Sequence, residues 1–313
     1  MRLLTLGLGK RGCGIVELLH KKGERVNNIS LFKCYAVHQE HPFLSRLNIT
    51  PSNKFTAWLD DFEAGKSVLN TIFSRNEFFE ATLLITDILD SYSYEFAKRI
   101  GEEMLSISDD PVIQLVLMPT LEYGSDYEEI RRRLKVLTDY SHFMLLFEER
   151  DGVNNLILNS LNMLSLVGEI DLKKRVSGEV VIDTSDVFNS FMKGGLSAVG
   201  YAYSEIKRGI ADRIMFWKKD ENPGKKAERM KNLLVKAMEE NLSARCDLET
   251  AKSALVLFGG NPEDITMDGM FSCLTYIDRL FPRVELRYGD YPVPGASRLN
   301  AMVLFSGMTG FKF

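Results

Sequence analysis

Apolar and polar positions in the first half of the chain follow two alternating periods. Short, predominantly apolar runs at residues 3–8, 81–85 and 112–118 are typical of strands that are buried on both faces of a sheet. Between such runs, apolar residues recur at helical spacing, as in residues 15–19, and Gly23 is a natural end for that helix. Strands that alternate with helices predict right-handed crossovers and a mainly parallel sheet.

The same patterns predict further strands at residues 29–37 and 142–147, and further helices at residues 92–105 and 126–137. We therefore predict an α/β fold whose first domain, residues 1–152, is a Rossmann-like nucleotide-binding domain. In open sheets of this kind, ligands bind beyond the carboxyl ends of the strands.

A long, largely buried helix is predicted at residues 153–168, so residues 153–178 form a core helix and its link. Residues 179–313 then form a second, smaller α/β sheet domain. Its predicted elements are a strand at 179–182, a helix through Phe188 and Met192, a strand at 254–258, a helix at 267–281, and strands at 284–288 and 301–305. The most polar stretch, residues 205–242, contains Asn222-Pro223-Gly224 between two basic helical segments, which predicts a surface helical hairpin or an insertion.

Composition limits the possible partners. The chain has 313 residues, of which 45% are apolar and 26% charged, as in ordinary globular proteins. Its net charge of -4 opposes binding to nucleic acid, which needs a basic surface. Every apolar run is shorter than the roughly 20 residues that cross a bilayer, which predicts no membrane span. The chain enters a strand at once rather than a signal peptide, which predicts a cytoplasmic location. Its histidines and cysteines show no metal-ligand spacing, so we predict no metal site.

A glycine-rich turn follows the first predicted strand and opens the first helix. In this context glycines let backbone amides approach a phosphate at a helix N-terminus, and the two basic residues in the turn would add charge-assisted contacts. The alternative is a tight turn that binds no ligand. The candidate phosphate-binding residues are Gly7, Gly9, Lys10, Arg11, Gly12 and Gly14.

A dinucleotide enzyme also fits a turn of this kind. It would place an acidic residue after the second strand, on the ribose hydroxyls, and Glu40 has that position. Glutamates are commonly surface residues, however, and no histidine stands out as a catalytic acid or base. A nicotinamide-dependent oxidoreductase therefore remains an alternative.

Two carboxylates, Asp183 and Asp186, stand three residues apart between an apolar run and a predicted helix. Helix capping is one explanation for them. A glycine-rich segment at residues 193–200 follows, and the strand at 254–258 leads directly into two more glycines. In the first half, residues 122–147 hold a helix with three consecutive arginines and then a strand.

In their order, these motifs resemble the tubulin and FtsZ superfamily of filament-forming GTPases, over essentially the whole chain. The segment around Asp183 and Asp186 is similar to the aspartate loop of FtsZ. The resemblance indicates a divergent FtsZ-like protein of prokaryotic type, archaea included. It implies GTP or GDP between subunits that stack head to tail, so that one subunit's aspartate loop completes the site of the next.

The resemblance also implies roles for single residues. Asp183 would orient the attacking water, with Asp186 assisting, while the glycines of the first turn cradle phosphate. Asn162 on the core helix would face the guanine base. The implied partner is a second copy of the chain or a related FtsZ-like protein.

The largest departure from that family is the loop after the strand at 81–85. FtsZ has a run of glycines and threonines there, whereas residues 86–94 contain no glycine. Side chains resist the positive φ of such a loop, and Asp87 and Asp90 add negative charge where phosphates would sit. Ser91 and Ser93 can cap the next helix and leave its N-terminus to an anion.

We therefore predict a divergent cytoskeletal protein that forms or joins head-to-tail filaments. Its degenerate phosphate loop predicts weak or absent binding and hydrolysis of GTP. The alternatives are an active self-assembling GTPase of cell division or cell shape, and the oxidoreductase described above.

Overall fold

The computed structural model describes residues 1–120, 125–169, 180, 182–191, 195–206 and 222–312. The strands are β1 Leu3–Leu8, β2 Arg25–Val26, β3 Ile29–Ser30, β4 Phe32–His38, β5 Lys54–Thr56, β6 Ala81–Asp87, β7 Val112–Met118, β8 Phe143–Glu148, β9 Leu196–Glu205, β10 Ser253–Gly260, β11 Glu285–Pro292 and β12 Arg298–Met308. The helices are α1 Gly9–Lys22, α2 His41–Arg46, α3 Ala64–Phe73, α4 Ser91–Ile107, α5 Ser125–Leu137, α6 Val153–Leu166, α7 Thr184–Ser190, α8 Pro223–Glu239 and α9 Met267–Leu280.

A sheet of ten strands runs through the described part of the chain, in the order β11-β10-β12-β9-β8-β7-β6-β1-β4-β5. Strands β1 and β4–β8 are mutually parallel, and β12 runs antiparallel to its neighbours β9 and β10. Because the parallel strands share one direction, their carboxyl ends form one edge of the molecule, here called the carboxyl edge. Their amino ends form the opposite, amino edge.

Helices cover both faces of this sheet. Helices α1, α6 and α7 bury their apolar side chains on one face, and α4, α8 and α9 bury theirs on the other. The apolar runs of β1 and β7 are buried along their whole length, as expected for strands covered on both faces. Both α1 and α6 begin at the carboxyl edge and run back to the amino edge, since each follows a parallel strand.

The predicted α/β class and its mainly parallel sheet are confirmed. The long helix predicted at 153–168 is α6, and the other predicted helices and strands, apart from the strands predicted at 29–37 and 179–182, lie within a few residues of their predicted positions. The two halves share one sheet through the pairing of β8 with β9, and the domain boundaries at 152 and 178 stay a prediction. The four cysteines are free and buried.

Strand β9 was missed by the hydrophobic pattern, because small residues hide it. The sequence shows only a glycine-rich segment at residues 193–200, yet β9 pairs with β12 over most of its length and with β8 at its start. A side chain at Gly200 would overlap the carbonyl group of Ala237 in α8. The small residues therefore let a helix approach the sheet closely, which is a tertiary requirement.

Two further predictions are corrected. The strand predicted at 29–37 is divided, because Ile29–Ser30 pairs with β2 in a short hairpin before β4 begins. Residues 223–239 form a helix that buries Met230, Leu234 and Ala237 in the core, so this part of the polar stretch 205–242 is a packed core helix and not a surface insertion. Residues 207–221, residues 179 and 181 of the strand predicted at 179–182, and Met192 lie outside the described residues.

Candidate functional site

The glycine-rich turn lies at the carboxyl edge between β1 and α1, but its glycines differ in role. Gly9 has a φ of +75°, which favours glycine. A side chain at Gly12 would overlap the Ile85 carbonyl oxygen, and one at Gly7 would overlap the backbone of Gly12. Packing of α1 against β1 and β6 thus requires Gly7 and Gly12, while Gly14 faces open space.

Both basic residues of the turn already have acidic partners. The Lys10 ammonium lies 2.9 Å from Oε1 of Glu40 at the surface, and this bond lowers the pKa of the Glu40 carboxyl. Arg11 donates to both carboxylate oxygens of Glu149, with 3.0 Å from Nη2 to Oε2, and to Oδ1 of Asn154 at 2.6 Å. A bidentate arginine–carboxylate pair is among the stronger polar contacts in proteins, so Arg11 is held away from an incoming anion.

The glycine-free loop after β6 packs directly onto this turn. Asp90 caps α4, since its Oδ1 accepts from the Tyr92 amide at 3.0 Å. Its other oxygen faces Gly9, where an added Cβ would lie 2.5 Å from Oδ2. One carboxylate therefore stands between the N-termini of α1 and α4, the two helix ends that a phosphate would use.

The two predicted serines differ in what they offer a ligand. Ser93 is fully buried; its hydroxyl donates to the Leu8 carbonyl at 2.8 Å and accepts from the Asp87 amide at 3.0 Å. This serine connects the loop to β1 and has no exposed surface for a phosphate, which corrects its predicted role. Ser91 is exposed at the first position of α4.

Asn162 lies at the other edge of the molecule. Its Oδ1 accepts from the Glu24 amide at 2.9 Å and its amide nitrogen lies 3.5 Å from the Lys22 carbonyl, just beyond the end of α1. With 14 residues, α1 is about 20 Å long, and that length separates Asn162 from Gly9. The structure therefore does not bring Asn162 to the glycine turn, contrary to the prediction that it faces a base there.

The predicted acidic turn opens α7 at the amino edge. Asp183 is exposed and accepts from the Asp186 amide at 3.0 Å, while Asp186 accepts from the Asp183 amide at 3.2 Å. This reciprocal pair is a capping box, so the capping explanation is confirmed and the catalytic role stays a prediction. Hydrogen bonds from the Ser185 hydroxyl and then from the Asp186 amide lower the pKa of the Asp183 carboxyl.

Contacts from both halves of the chain hold α7 in place. The Thr184 hydroxyl donates to Glu80 at 3.0 Å, and Glu80 immediately precedes β6. From the other half, the Arg287 Nε lies 3.9 Å from Oδ1 of Asp186. The glycine turn and the acidic turn are thus on opposite edges of one sheet, so a single chain does not bring them together.

Sequence reasoning missed Glu149 and Asn154, which neutralise and orient Arg11. The available signal was an acidic residue at the end of a predicted strand, since Glu149 directly follows β8. His38 was also passed over. It is buried, its Nδ1 accepts from the Glu40 amide at 2.9 Å, and burial lowers its pKa.

Within the part of the chain that the structure describes, no group of three or more His, Cys, Asp or Glu side chains is placed to hold a metal ion. Among the helices described there, none combines the length and apolar character that crossing a bilayer requires.

Comparisons with known sequences all identify the same family. A family model described as the C-terminal domain of tubulin-like CetZ matches residues 147–312, more than half of the chain. Tubulin-like protein CetZ1 of Haloferax volcanii is 31% identical over 236 residues, which cover 68% of this chain and 60% of that protein. CetZ5 of the same organism is 21% identical over an alignment of 349 positions, covering 99% of this chain and 88% of CetZ5.

Solved structures agree on the fold. A GDP-bound monomer of H. volcanii CetZ1 superposes with a TM-score of 0.77 at 22% identity, covering 99% of this chain and 95% of that one. A GTPγS-bound protofilament of CetZ2 superposes with a TM-score of 0.75 at 19% identity, covering 100% of this chain and 95% of that one. An empty FtsZ dimer from M. jannaschii superposes with a TM-score of 0.69 at 14% identity, covering 98% of this chain and 88% of that one. The tubulin and FtsZ fold expected from the motif order is confirmed.

Proposed function

The chain belongs to the tubulin-like CetZ family, and we propose that it is a cytoskeletal subunit that stacks head to tail and binds guanine nucleotide weakly or not at all. Relatives with this fold support the first part, since CetZ2 is described as a GTPγS-bound protofilament. The positions of the two candidate sites are consistent with it, because the glycine turn and the exposed acidic turn lie on opposite edges. Stacking would bring one subunit's acidic turn to the next subunit's glycine turn.

The contact between Asp90 and Gly9 carries the second part of the proposal. It puts the chain's own carboxylate between two helix N-termini. Asp87 adds negative charge at the same edge, and the two cations of the turn, Lys10 and Arg11, are already paired with Glu40 and Glu149.

The sizes of the repulsive and attractive energies at the glycine turn favour exclusion of a triphosphate from it. A phosphate oxygen about 4 Å from one carboxylate is repelled by about 4 kcal/mol at the effective dielectric of a protein surface. The favourable interaction of an anion with a helix N-terminus is worth only about 0.3–1 kcal/mol at an exposed site. Repulsion therefore exceeds the attraction that remains once Lys10 and Arg11 are occupied.

Calorimetric titration with GTP and GDP tests this account, with Asp90→Asn as the key variant. Asparagine caps a helix as well as aspartate does, so the substitution removes the charge and keeps the cap. We expect the unmodified protein to show no saturable binding at millimolar GTP. We expect Asp90→Asn to bind GTP at least about tenfold more tightly than that limit, which is equivalent to at least about 1.4 kcal/mol. Asp278→Asn, which makes the same charge change at an exposed position of α9, is the control. Tight GTP binding by the unmodified protein contradicts the proposal.

Assembly is measured separately, by sedimentation and electron microscopy with and without GTP. We expect filaments whose critical concentration does not depend on nucleotide. Phosphate release that rises with protein concentration would instead support the active GTPase. Failure to assemble alone or with a related CetZ protein would contradict the cytoskeletal function.

A further inference from the structure

The two halves of the chain meet at a fork in the sheet. Strands β8 and β9, both within the described residues, pair only at Met144–Leu196 and Leu145–Ser197, although the rest of β8 is buried. Backbone N–H and C=O groups that are buried without a hydrogen-bond partner are costly. The end of β8 therefore needs another segment with which to pair.

Residues 242–245, here called the strap, follow α8 and fill this fork. The Ser243 amide donates to the Val199 carbonyl at 2.8 Å, and the Ser243 carbonyl accepts from the Glu148 amide at 2.7 Å. The Ser243 hydroxyl donates to the Leu146 carbonyl at 2.6 Å and accepts from the Val199 amide at 2.9 Å. This fully buried serine thus makes two hydrogen bonds to β8 in the first half and two to β9 in the second.

A buried charge adds further bonds between β8 and the strap. The Glu148 side chain is 3% exposed; its Oε1 accepts from the Arg245 amide at 2.9 Å and its Oε2 from Arg245 Nε at 3.2 Å. Just after β8, Arg150 donates to the Leu242 carbonyl. A buried carboxylate is tolerated when it is paired and hydrogen-bonded, and removing its partner leaves an uncompensated charge. The strap therefore supplies the partner that a buried carboxylate of the first half requires.

Residues 311 and 312 join the strap to the first half a second time. The Lys312 amide donates to the Arg245 carbonyl at 2.9 Å. Beside it, the Phe311 ring contacts the Tyr127 ring of α5 edge to face, with 6.2 Å between the ring centres. Because α5 belongs to the first half, the strap is linked to that half through β8 on one side and through α5 on the other.

We propose that the strap joins the two halves into one cooperative unit, so that they neither move nor unfold independently. A chain of this length usually divides into domains, and domains generally fold as separate units. Here, separation of β8 from β9 would break the bonds of Ser243 to one strand or the other, since the strap lies between them. The inference concerns a single chain and holds whether or not the protein stacks, so it fails or stands separately from the proposed function.

Hydrogen exchange in increasing urea tests the coupling, because all amides of one cooperative unit open together. Amides of β1 report on the first half and amides of β10 on the second. We expect the urea midpoints for opening of these two strands to coincide in the unmodified protein. In Ser243→Ala, which removes one bond to β8 and one to β9, we expect them to separate by about 1 M.

Ser253→Ala is the matched control, because the Ser253 hydroxyl is equally buried and has no hydrogen-bond partner among the described residues. It should leave the two midpoints coincident. Arg245→Ala is a milder change in the strap, at a side chain that is 47% exposed; it should also separate the midpoints, and it replaces Ser243→Ala if that variant does not fold. Midpoints that already differ in the unmodified protein overturn the inference, as do midpoints that stay coincident in the strap variants.

Discussion

At the scale of single residues, the glycine turn contains two kinds of glycine that look alike in sequence. Gly9 has a backbone conformation that side chains disfavour, whereas Gly12 is required because a neighbouring strand lies against its Cα. Only the second kind is a packing requirement set by another strand. A phosphate-binding pattern in sequence therefore does not by itself establish that its glycines meet a phosphate.

Substitution of two glycines of α1 separates these roles. Gly12→Ala puts a methyl group against the Ile85 carbonyl, and overpacking of this kind costs about 1–3 kcal/mol. Gly14→Ala meets nothing within 4 Å and should raise stability by up to about 1 kcal/mol, because alanine is the better helix former. The midpoint of urea unfolding measures both. Equal midpoints for the two variants would show that close packing at Gly12 is absent.

At the scale of elements, the acidic turn is first a helix start. The capping box of α7 uses both carboxylates, and contacts to Glu80 and Arg287 join the helix to both halves of the sheet. Asp183 therefore stabilises the start of α7 whether or not it also acts on a neighbouring subunit. A loss of assembly in an alanine variant alone would not distinguish the two roles.

Hydrogen exchange of the α7 amides separates them. Asp183→Ala should raise exchange several-fold through loss of the cap, whereas Asp183→Asn keeps the cap and should change exchange little. Because the folded pKa of Asp183 lies below its ordinary 3.8, its stabilising contribution is complete above that pH and is lost as pH falls through the folded pKa. Asp183→Asn should lack this acid dependence. An unchanged acid profile in that variant would refute the assignment.

At the scale of the whole molecule, a single sheet carries two unlike edges. One has the glycine turn and the exposed side chains of Trp58 and Phe62, and the other has the acidic turn and the basic residues at the end of α1. Unlike edges generate open, polar assemblies. Each chain should therefore add to a filament in one orientation.

Much of the fold was predictable because each element has a local signal. The runs in β1 and β7 are predominantly apolar, and the apolar residues of α6 recur at helical spacing, so the type of each element follows from a short window of sequence. Strand β9 and helix α3 were not predicted. In β9, glycine and alanine serve the approach of α8, and their requirement appears only when that helix is present.

The sequence by itself determined the order of strands and helices, the absence of glycine after β6 and the presence of an acidic pair before α7, because each is a property of neighbouring residues. Only the tertiary structure decided which groups meet. Arg11 pairs with Glu149 and Asn162 bonds to Glu24, each across 138 positions of chain, and Asp90 reaches Gly9 from another strand. Contacts over such separations depend on the packing of the sheet and its helices, so local pattern carries no record of them.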